Sequence, residues 1–475
     1  MLSDSTRLGA SHATLMAILR SAPELREGPQ LTQILELLSE RRAMDLSDLP
    51  PAQQAALIAA RSRELLPSEG QLAGLLAGAG AEGRQLIVKF GIDPTAADVH
   101  VGHAVPMIIA SRFQRMGHRV VFIVGDITAK IGDPSGQVAG RPPLTDDDIR
   151  GNMTTYREQV TPFFDFGRAD FRYNSEWLAP LPLPQFLSVL AKLPAAASLQ
   201  REDFRARLAA GTGLTMSELV YSVVMALDSV KIGADIELGG LDQLLNMQMC
   251  RRVMESAGQR PEVIVAAGLI EGTDGTGAKM SKSKGNYVGL AWEPSEMFGK
   301  LMSSADRLLP AYLSALTELL DPEIDLLLRL MADRDVHPMG VKLLLASDVT
   351  STVHGIAAAA ASRAGFTAQF SRKRFSDALG VPVIGQAEHG GATVGDLFVR
   401  VAQTVPSMSQ VRRVASGGGL RLVTETPGKE QETIVLTEAD ASGTLTSLLS
   451  ANRALVRQPG ARTFLKCGRS LIEIS

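Results

Sequence analysis

The sequence predicts an α/β fold built on a parallel sheet, with further helical and α+β parts towards its C-terminal end. Three observations predict it. Val88–Gly136 reads as strand, glycine-containing turn, helix, strand and Gly/Asp-rich loop, which is half of a nucleotide-binding βαβ unit. Two histidines, His100 and His103, stand at the helix start with Gly102 between them. A lysine pair, Lys279-Met280-Ser281-Lys282-Ser283, follows far downstream behind the glycine-rich run EGTDGTGA.

Composition bounds the rest. A chain of 475 residues suits two to four domains, and an apolar content of 45% supports a large core. A net charge of −3 marks no overall nucleic-acid binder, so any RNA surface is a local patch. The two cysteines, Cys250 and Cys467, exclude a four-cysteine zinc site and fit a reducing compartment. No structural metal is expected. The N-terminus carries no charged-then-apolar signal pattern, and no apolar run reaches about 18 residues. The chain therefore reads as soluble and cytoplasmic, without a membrane partner.

Along the chain, Leu31, Ile34, Leu35 and Leu38 predict a short amphipathic helix before the break at Pro50-Pro51. Residues 52–66 read as a second helix, and Pro67-Ser68-Glu69 starts another. Gln85–Phe90 reads as a strand, a helix opens near His103, and Val120–Val124 is the next strand. At such a helix start an imidazole pair can donate to phosphate oxygens, helped by free backbone N–H groups and the helix dipole. Neutral or charged, each ring has an N–H to give. Thr95 adds a hydroxyl just upstream. Taken alone, the pair reads equally well as two unrelated surface histidines. Lysines 279 and 282 on a loop can close over the β- and γ-phosphates of ATP and stabilise the charge on departing pyrophosphate. A lysine-rich loop alone is a solvated surface; the two motifs in this order are a joint signal for nucleotide chemistry.

Asp133, in IGDPSG, lies in a glycine-flanked loop beyond a strand, where it either caps a turn or holds a ligand. Residues 141–220 interrupt the sheet with helical and mixed sequence, starting from a proline stop and an acidic helix start, RPPLTDDD. Tyr221, Met225 and Asp228 share one helix face by their spacing; alone they read as a buried Tyr and Met beside an exposed Asp. Strand Ile236–Leu238 runs into Gly240, Asp242 and Gln243, which suits a ribose site or a plain turn. Residues 301–385 read as helices, including VKLLLASDVTSTVHGIAAAAAS; Arg372, Lys373 and Arg374 add local positive charge. From Ala392 a small α+β segment begins. Ser407 caps a helix carrying Arg412 and Arg413, GGGLRL with Arg421 turns into a strand, and TFLKCGRSLIEIS closes the chain. These arginines either bind phosphates or are ordinary surface charges.

The His100 and Lys279 motifs resemble the two signatures of class I aminoacyl-tRNA synthetases. FGIDPTAADVHVGH, GDITAKIGDPSG, RYNSEW and ELGGLDQ resemble the bacterial tyrosyl-tRNA synthetase family, from near residue 55 to the C-terminus. The resemblance implies a Rossmann-like class I catalytic domain over 80–300, with the helical insertion 141–220 as dimer interface and support for the tRNA acceptor end. It implies an α-helical anticodon-side domain over 301–391 and a small S4-like RNA-binding domain over 392–475, behind an N-terminal helical extension, 1–79. The implied activity is ATP-dependent activation of tyrosine and its transfer to tRNA(Tyr) by a homodimer, with Mg2+ accompanying ATP. The implied catalytic residues are His100, His103, Thr95, Lys279 and Lys282. Gly91, Asp93, His100, His103, Gly240, Asp242 (on the ribose), Met280 and Lys282 would bind ATP. Asp133 would take the ammonium of tyrosine with Tyr221 beside it, Thr128 would line the pocket, Asp228 would accept the phenol hydroxyl and Gln243 would hold the carbonyl side. Arg412, Arg413 and Arg421 would contact RNA.

Three positions depart from the family. Met225 stands where a glutamine helps to hold the ammonium, Leu227 where an aromatic is usual, and Leu241 where a small hydroxyl residue is usual. Losing a hydrogen bond to a charged group costs about 1.5–3 kcal/mol. The helix near Lys342 is also rather apolar. Three apolar replacements around one pocket read either as altered amino-acid recognition or as repacking in an ordinary enzyme. The alternatives are accordingly a paralogue activating a modified or different amino acid, or a non-catalytic RNA-binding derivative. The absence of GxGxxG after the first strand argues against a nicotinamide dehydrogenase.

Overall fold

The structure, a computed structural model, describes residues 6–21, 23–26, 29–135, 144–199, 201–368, 375, 380–426, 431–456, 459–468 and 470–475. The chain forms two compact units, Met1–Ile356 and Ala357–Ser475. Arg372, Lys373 and Arg374 lie outside the described residues.

The first unit is organised on a sheet of β1 (Ser62–Leu66), β2 (Ile87–Ile92), β3 (Arg119–Val124), β4 (Ala169–Tyr173), β5 (Ile236–Gly240) and β6 (Val263–Ala267), in the order β1-β6-β5-β2-β3-β4. All neighbours are parallel except β1 and β6. Five consecutive buried residues in β3 and five in β6 are what a parallel strand covered on both faces requires. The strand order reverses between β2 and β5, so their carboxyl ends open a crevice there. The helix Val101–Arg115 connects β2 to β3 and buries Ile109 and Phe113.

The structure corrects several sequence-based boundaries. Residues 52–66 are not one helix: Pro51–Ala59 is helical, and Ser62–Leu66 is an antiparallel edge strand. Its burial pattern has no clear period and a register shift lies between Ser62 and Glu64, so the strand is defined by its partner β6. The first parallel strand starts at Ile87, two residues later than expected. The insertion also supplies β4, which extends the sheet beside β3.

The expected helix around Leu31–Leu38 is Pro29–Ala43, and a further helix, Arg7–Arg20, precedes it. Arg7–Arg20 packs on the helix Asp321–Ala332 and Pro29–Ala43 on the helix Pro338–His354, which explains the apolar VKLLL: Val341, Leu343, Leu344 and Leu345 are all buried. The predicted helix through GIAAAAAS breaks at Gly355, whose φ of 86° places it in the left-handed region; a second helix runs Ile356–Phe366.

The second unit is α+β. Its sheet combines β7 (Val383–Ile384), β8 (Leu420–Glu425), β9 (Glu432–Val435), β10 (Arg462–Cys467) and β11 (Ser470–Ile474), in the order β7-β11-β10-β8-β9. The helix Met408–Ser416 is capped as expected by Ser407, whose hydroxyl accepts from the Gln410 N–H. Its Val411 and Ala415 join a core with Leu422, Leu465 and Ile472. Arg412, Arg413 and Arg421 are exposed. Among the described residues, no helix is long and apolar enough to cross a membrane.

Candidate active site

The crevice at the ends of β2 and β5 is a cleft of about 570 Å³. It gathers every site residue expected from the sequence of the first unit: Gly91, Asp93, Thr95, His100, His103, Thr128, Asp133, Tyr221, Met225, Asp228, Gly240, Asp242, Gln243, Lys279, Met280 and Lys282 all line it.

The histidine pair begins the helix more tightly than expected. His100 is the N-cap, and helical residues start at Val101 rather than near His103. The His100 Nδ1 accepts from the Gly102 N–H at 3.2 Å, and the His100 N–H donates to the His103 Nδ1 at 3.3 Å. Both Nδ1 atoms are therefore acceptors, so each neutral ring carries its proton on Nε2. The rings stack with centroids 3.8 Å apart. Burial, each other's charge and the two lysines push His100 down to about 2; burial and the lysines push His103 down to about 3. Both stay neutral through the physiological range. Gly102 is required because a Cβ there would lie 2.9 Å from the His100 ring.

The lysine loop is tied to this helix start. Val101 N–H donates to the Val288 carbonyl at 2.9 Å, and Leu290 N–H to the Val99 carbonyl at 2.8 Å. Met280 is buried, its N–H donating to the Ile270 carbonyl, and Asn286 accepts from the Ser281 N–H at 2.8 Å. The Lys282 ammonium donates to the Asp98 carbonyl. Burial lowers the pKa of Lys282, opposed by Asp98. Lys279 forms an ion pair with Asp242. Gly240 permits this arrangement, since a Cβ would sit 2.5 Å from the Asp242 carboxylate.

The inner part of the cleft is lined by carboxylates. Asp93 accepts from the Thr128 hydroxyl at 2.6 Å and the Tyr221 hydroxyl at 2.8 Å. Burial raises Asp93 to about 7; the two hydroxyls oppose the shift, and Asp133 and Asp228 add to it. A Cβ on Gly125 would fall 2.1 Å from the Asp93 carboxylate, so that turn needs glycine. Asp133 both caps its own turn, accepting from the Ser135 N–H at 3.0 Å, and accepts from the Gln243 amide at 2.7 Å. Asp228 is buried, not exposed as the isolated helix reading has it. Its Oδ1 accepts from the Trp177 indole at 2.8 Å, and its Oδ2 lies 3.4 Å from the Asn174 amide. Burial raises it to about 6 against the pull of Lys89.

Met225 lines the cleft, but Leu227 and Leu241 do not. Leu241, like Met225, packs on an apolar cluster of Met247, Ile264 and Ala266. The three apolar replacements therefore do not surround one pocket; a single one of them faces it.

Sequence reasoning assigned no role to Asn174, Trp177, Asn246, Arg201 or Lys89. Asn174 bridges the Ile127 N–H, the Thr128 hydroxyl and Asp228. Asn246 donates to the Gln243 carbonyl oxygen at 2.9 Å and accepts from the buried Arg201 at 2.7 Å, which orients the Gln243 amide towards Asp133. RYNSEW held the signal for Asn174 and Trp177. Nothing local marked Arg201 or Asn246.

Comparison with known proteins adds a family to this geometry. The model of the class I tRNA synthetases for tryptophan and tyrosine (W and Y) matches residues 81–371. The tyrosine–tRNA ligase of Thermotoga maritima is 39% identical over 336 residues, covering 71% of this chain and 82% of that protein. The tyrosine–tRNA ligase of Bordetella pertussis is 37% identical over 374 residues, covering 78% and 90%. Among solved structures, a C-terminally truncated Aspergillus nidulans mitochondrial tyrosyl-tRNA synthetase shares the fold with a TM-score of 0.55 at 19% identity, covering 72% of this chain and 98% of that one.

Proposed function

From the premise that this chain belongs to the class I tRNA synthetases of the tryptophan and tyrosine group, we propose that it is a tyrosine–tRNA ligase. It activates tyrosine with ATP and passes the tyrosyl group to tRNA(Tyr). The observation that carries this reading is one cleft combining a buried carboxylate acceptor, Asp228, with a rim of neutral imidazoles and lysines.

In the proposed reaction the tyrosine carboxylate attacks the α-phosphate of ATP, forming the mixed anhydride and releasing pyrophosphate. A carboxylate is already a nucleophile, so positioning and charge stabilisation do most of the catalysis. His100 and His103 donate from Nε2 to phosphate oxygens, Thr95 adds its hydroxyl, and Lys279 and Lys282 offset the charge of the leaving pyrophosphate. For this Lys279 must exchange Asp242 for phosphate, which frees Asp242 for the ribose hydroxyls; Gly91, Gly240 and Met280 shape the nucleotide side. Mg2+ enters with ATP as part of the substrate, held by phosphate oxygens. Asp133 and the Tyr221 hydroxyl take the ammonium, Thr128 and Asp93 support them, and Gln243 faces the carbonyl side. Met225 contributes no acceptor there. A terminal ribose hydroxyl of tRNA then attacks the anhydride.

The proposal extends to assembly, RNA contact and location. The insertion leaves Leu183, Leu187, Leu208 and Met216 exposed, which supports a homodimer through that face. The second unit, read as S4-like, offers Arg412, Arg413 and Arg421 to RNA phosphates. The enzyme is assigned to the cytoplasm, where its tRNA is. ATP–pyrophosphate exchange with tyrosine, phenylalanine and ring- or backbone-modified tyrosines tests the reading. Exchange driven by tyrosine alone is the expected result; a response to another amino acid instead moves the chain to a paralogue class, with Met225 as the first residue to revert to Gln.

A further inference from the structure

Beneath the cleft lies a group of ionisable side chains that the proposed mechanism does not use. Lys89 on β2, Glu237 on β5, Glu262 just before β6 and Cys250 on the helix Leu244–Ser256 are all buried. Ligand atoms of Glu237, Cys250 and Glu262 lie within 4.8 Å of one another, a spacing that could hold a metal ion. Lys89 already supplies the positive charge. Its ammonium donates to Glu237 at 2.7 Å and to the Ser229 hydroxyl at 2.8 Å, and lies 4.0 Å from the Cys250 sulfur.

The charges in this group must balance, because an uncompensated buried charge is expensive. Two carboxylates face one ammonium. The outer oxygens, Oε2 of Glu237 and of Glu262, have no hydrogen-bond partner among the described residues when both are ionised. A proton on Glu262, donated to Glu237, satisfies both at once. Burial and the Glu237 charge push Glu262 up strongly, whereas for Glu237 the effect of burial is outweighed by the Lys89 charge together with hydrogen bonds from Glu262, Lys89 and Cys250. Burial and Glu237 likewise keep Cys250 a thiol. The group is thus Lys89 cation, Glu237 anion, neutral Glu262 and neutral Cys250.

Lys89 also reaches the substrate side. It lines the same cleft as Asp228, and its ammonium lies 3.4 Å from the Met225 carbonyl and bonds Ser229, one turn before and one residue after Asp228 on the same helix. We propose that Lys89 is a positioning residue for the phenol subsite: its ammonium, anchored by Glu237, holds Asp228 as the carboxylate that accepts a phenol hydroxyl. The other groups facing Asp228 cannot do this. Asp93 and Glu237 are acidic, while Asn174, Trp177 and Tyr221 are neutral. The phenol part of this inference rests on the tyrosine reading of the cleft; the coupling of Lys89 to Asp228 does not.

The test separates the two. The chain has two tryptophans, so a Trp292→Phe background leaves Trp177, bonded to Asp228, as the reporter. Fluorescence is expected to titrate with a midpoint near 6, and Asp228→Asn is expected to remove that transition. Lys89→Met is expected to raise the midpoint by about one pH unit or more. Lys89→Met/Glu237→Gln removes both ends of the ion pair, leaves no orphaned carboxylate, and is expected to show a smaller rise, because Glu237 itself pushes Asp228 up, should the single variant fail to fold. The acid limb of kcat/KM for tyrosine should follow the fluorescence midpoint, with KM for ATP unchanged. A midpoint that stays in place in folded variants overturns the proposal. So does a midpoint that rises while the tyrosine limb stays put. If the parent enzyme shows no tyrosine-dependent exchange, the activity reading falls with the phenol role, and the fluorescence shift alone decides whether Lys89 and Asp228 are coupled.

Discussion

At the scale of single residues, the histidine pair makes the point that side chains proposed for catalysis also serve as a folding device. His100 caps the helix through Nδ1, and His103 accepts the His100 N–H through Nδ1. Protonating either Nδ1 would break the cap, which adds to burial and the nearby lysines in keeping the rings neutral. A neutral donor can be replaced by another neutral donor. His103→Asn should therefore retain more adenylate formation than His103→Ala, which is expected to lose about 100-fold in kcat. The acid limb near 6 should persist in His103→Asn and vanish in Asp228→Asn. Steady-state exchange across pH 5–9 checks both; an acid limb that disappears with the histidine would mean that protonation of the ring, and not of Asp228, sets it.

At the scale of elements, the N-terminal segment is part of the catalytic unit's frame. Its last strand, β1, extends the main sheet. Its helix Pro29–Ala43 sends Arg41 into a double ion pair with Glu323, at 2.7 and 2.8 Å, where both side chains are almost fully buried and Glu323 also meets His12. Removing one partner strands the other's charge. Glu323→Leu is expected to destabilise by about 3–5 kcal/mol, and Arg41→Met/Glu323→Leu to recover most of that, as read from urea midpoints. Equal midpoints for the single variant and the parent would show that Arg41 finds water or another acceptor.

At the scale of the molecule, the insertion carries a helix, Leu183–Leu190, with no buried residue, and Leu183 and Leu187 are more than half exposed. Apolar side chains gathered on one surface favour association with a second copy. For the proposed homodimer, Leu183→Asp/Leu187→Asp should yield a monomer by light scattering and lower aminoacylation more than adenylate formation. A dimer that survives both charges places the interface elsewhere.

The residues that line the cleft were legible in the sequence where short range decides them. Helix caps, glycines forced by close approach and the paired motifs are local, so His100, Gly102, Gly240 and the Lys279 loop could be read directly. Strand β1 could not be: Ser62–Leu66 is half exposed and takes its conformation from β6, two hundred residues away in sequence. The same holds for the apolar replacements, since only packing shows that Met225 and Leu241 rest on one apolar cluster and that Met225 alone of the three lines the cleft. The sequence by itself determined the α/β class, the nucleotide motifs and the order of their elements, because periodicity and turn chemistry act over a few residues. Tertiary structure alone decided which carboxylates are buried together, which of them keep a proton, and that Lys89 pairs with Glu237. Charge states depend on burial and on partners brought together from β2, β5 and the strand that follows, and no local pattern encodes that.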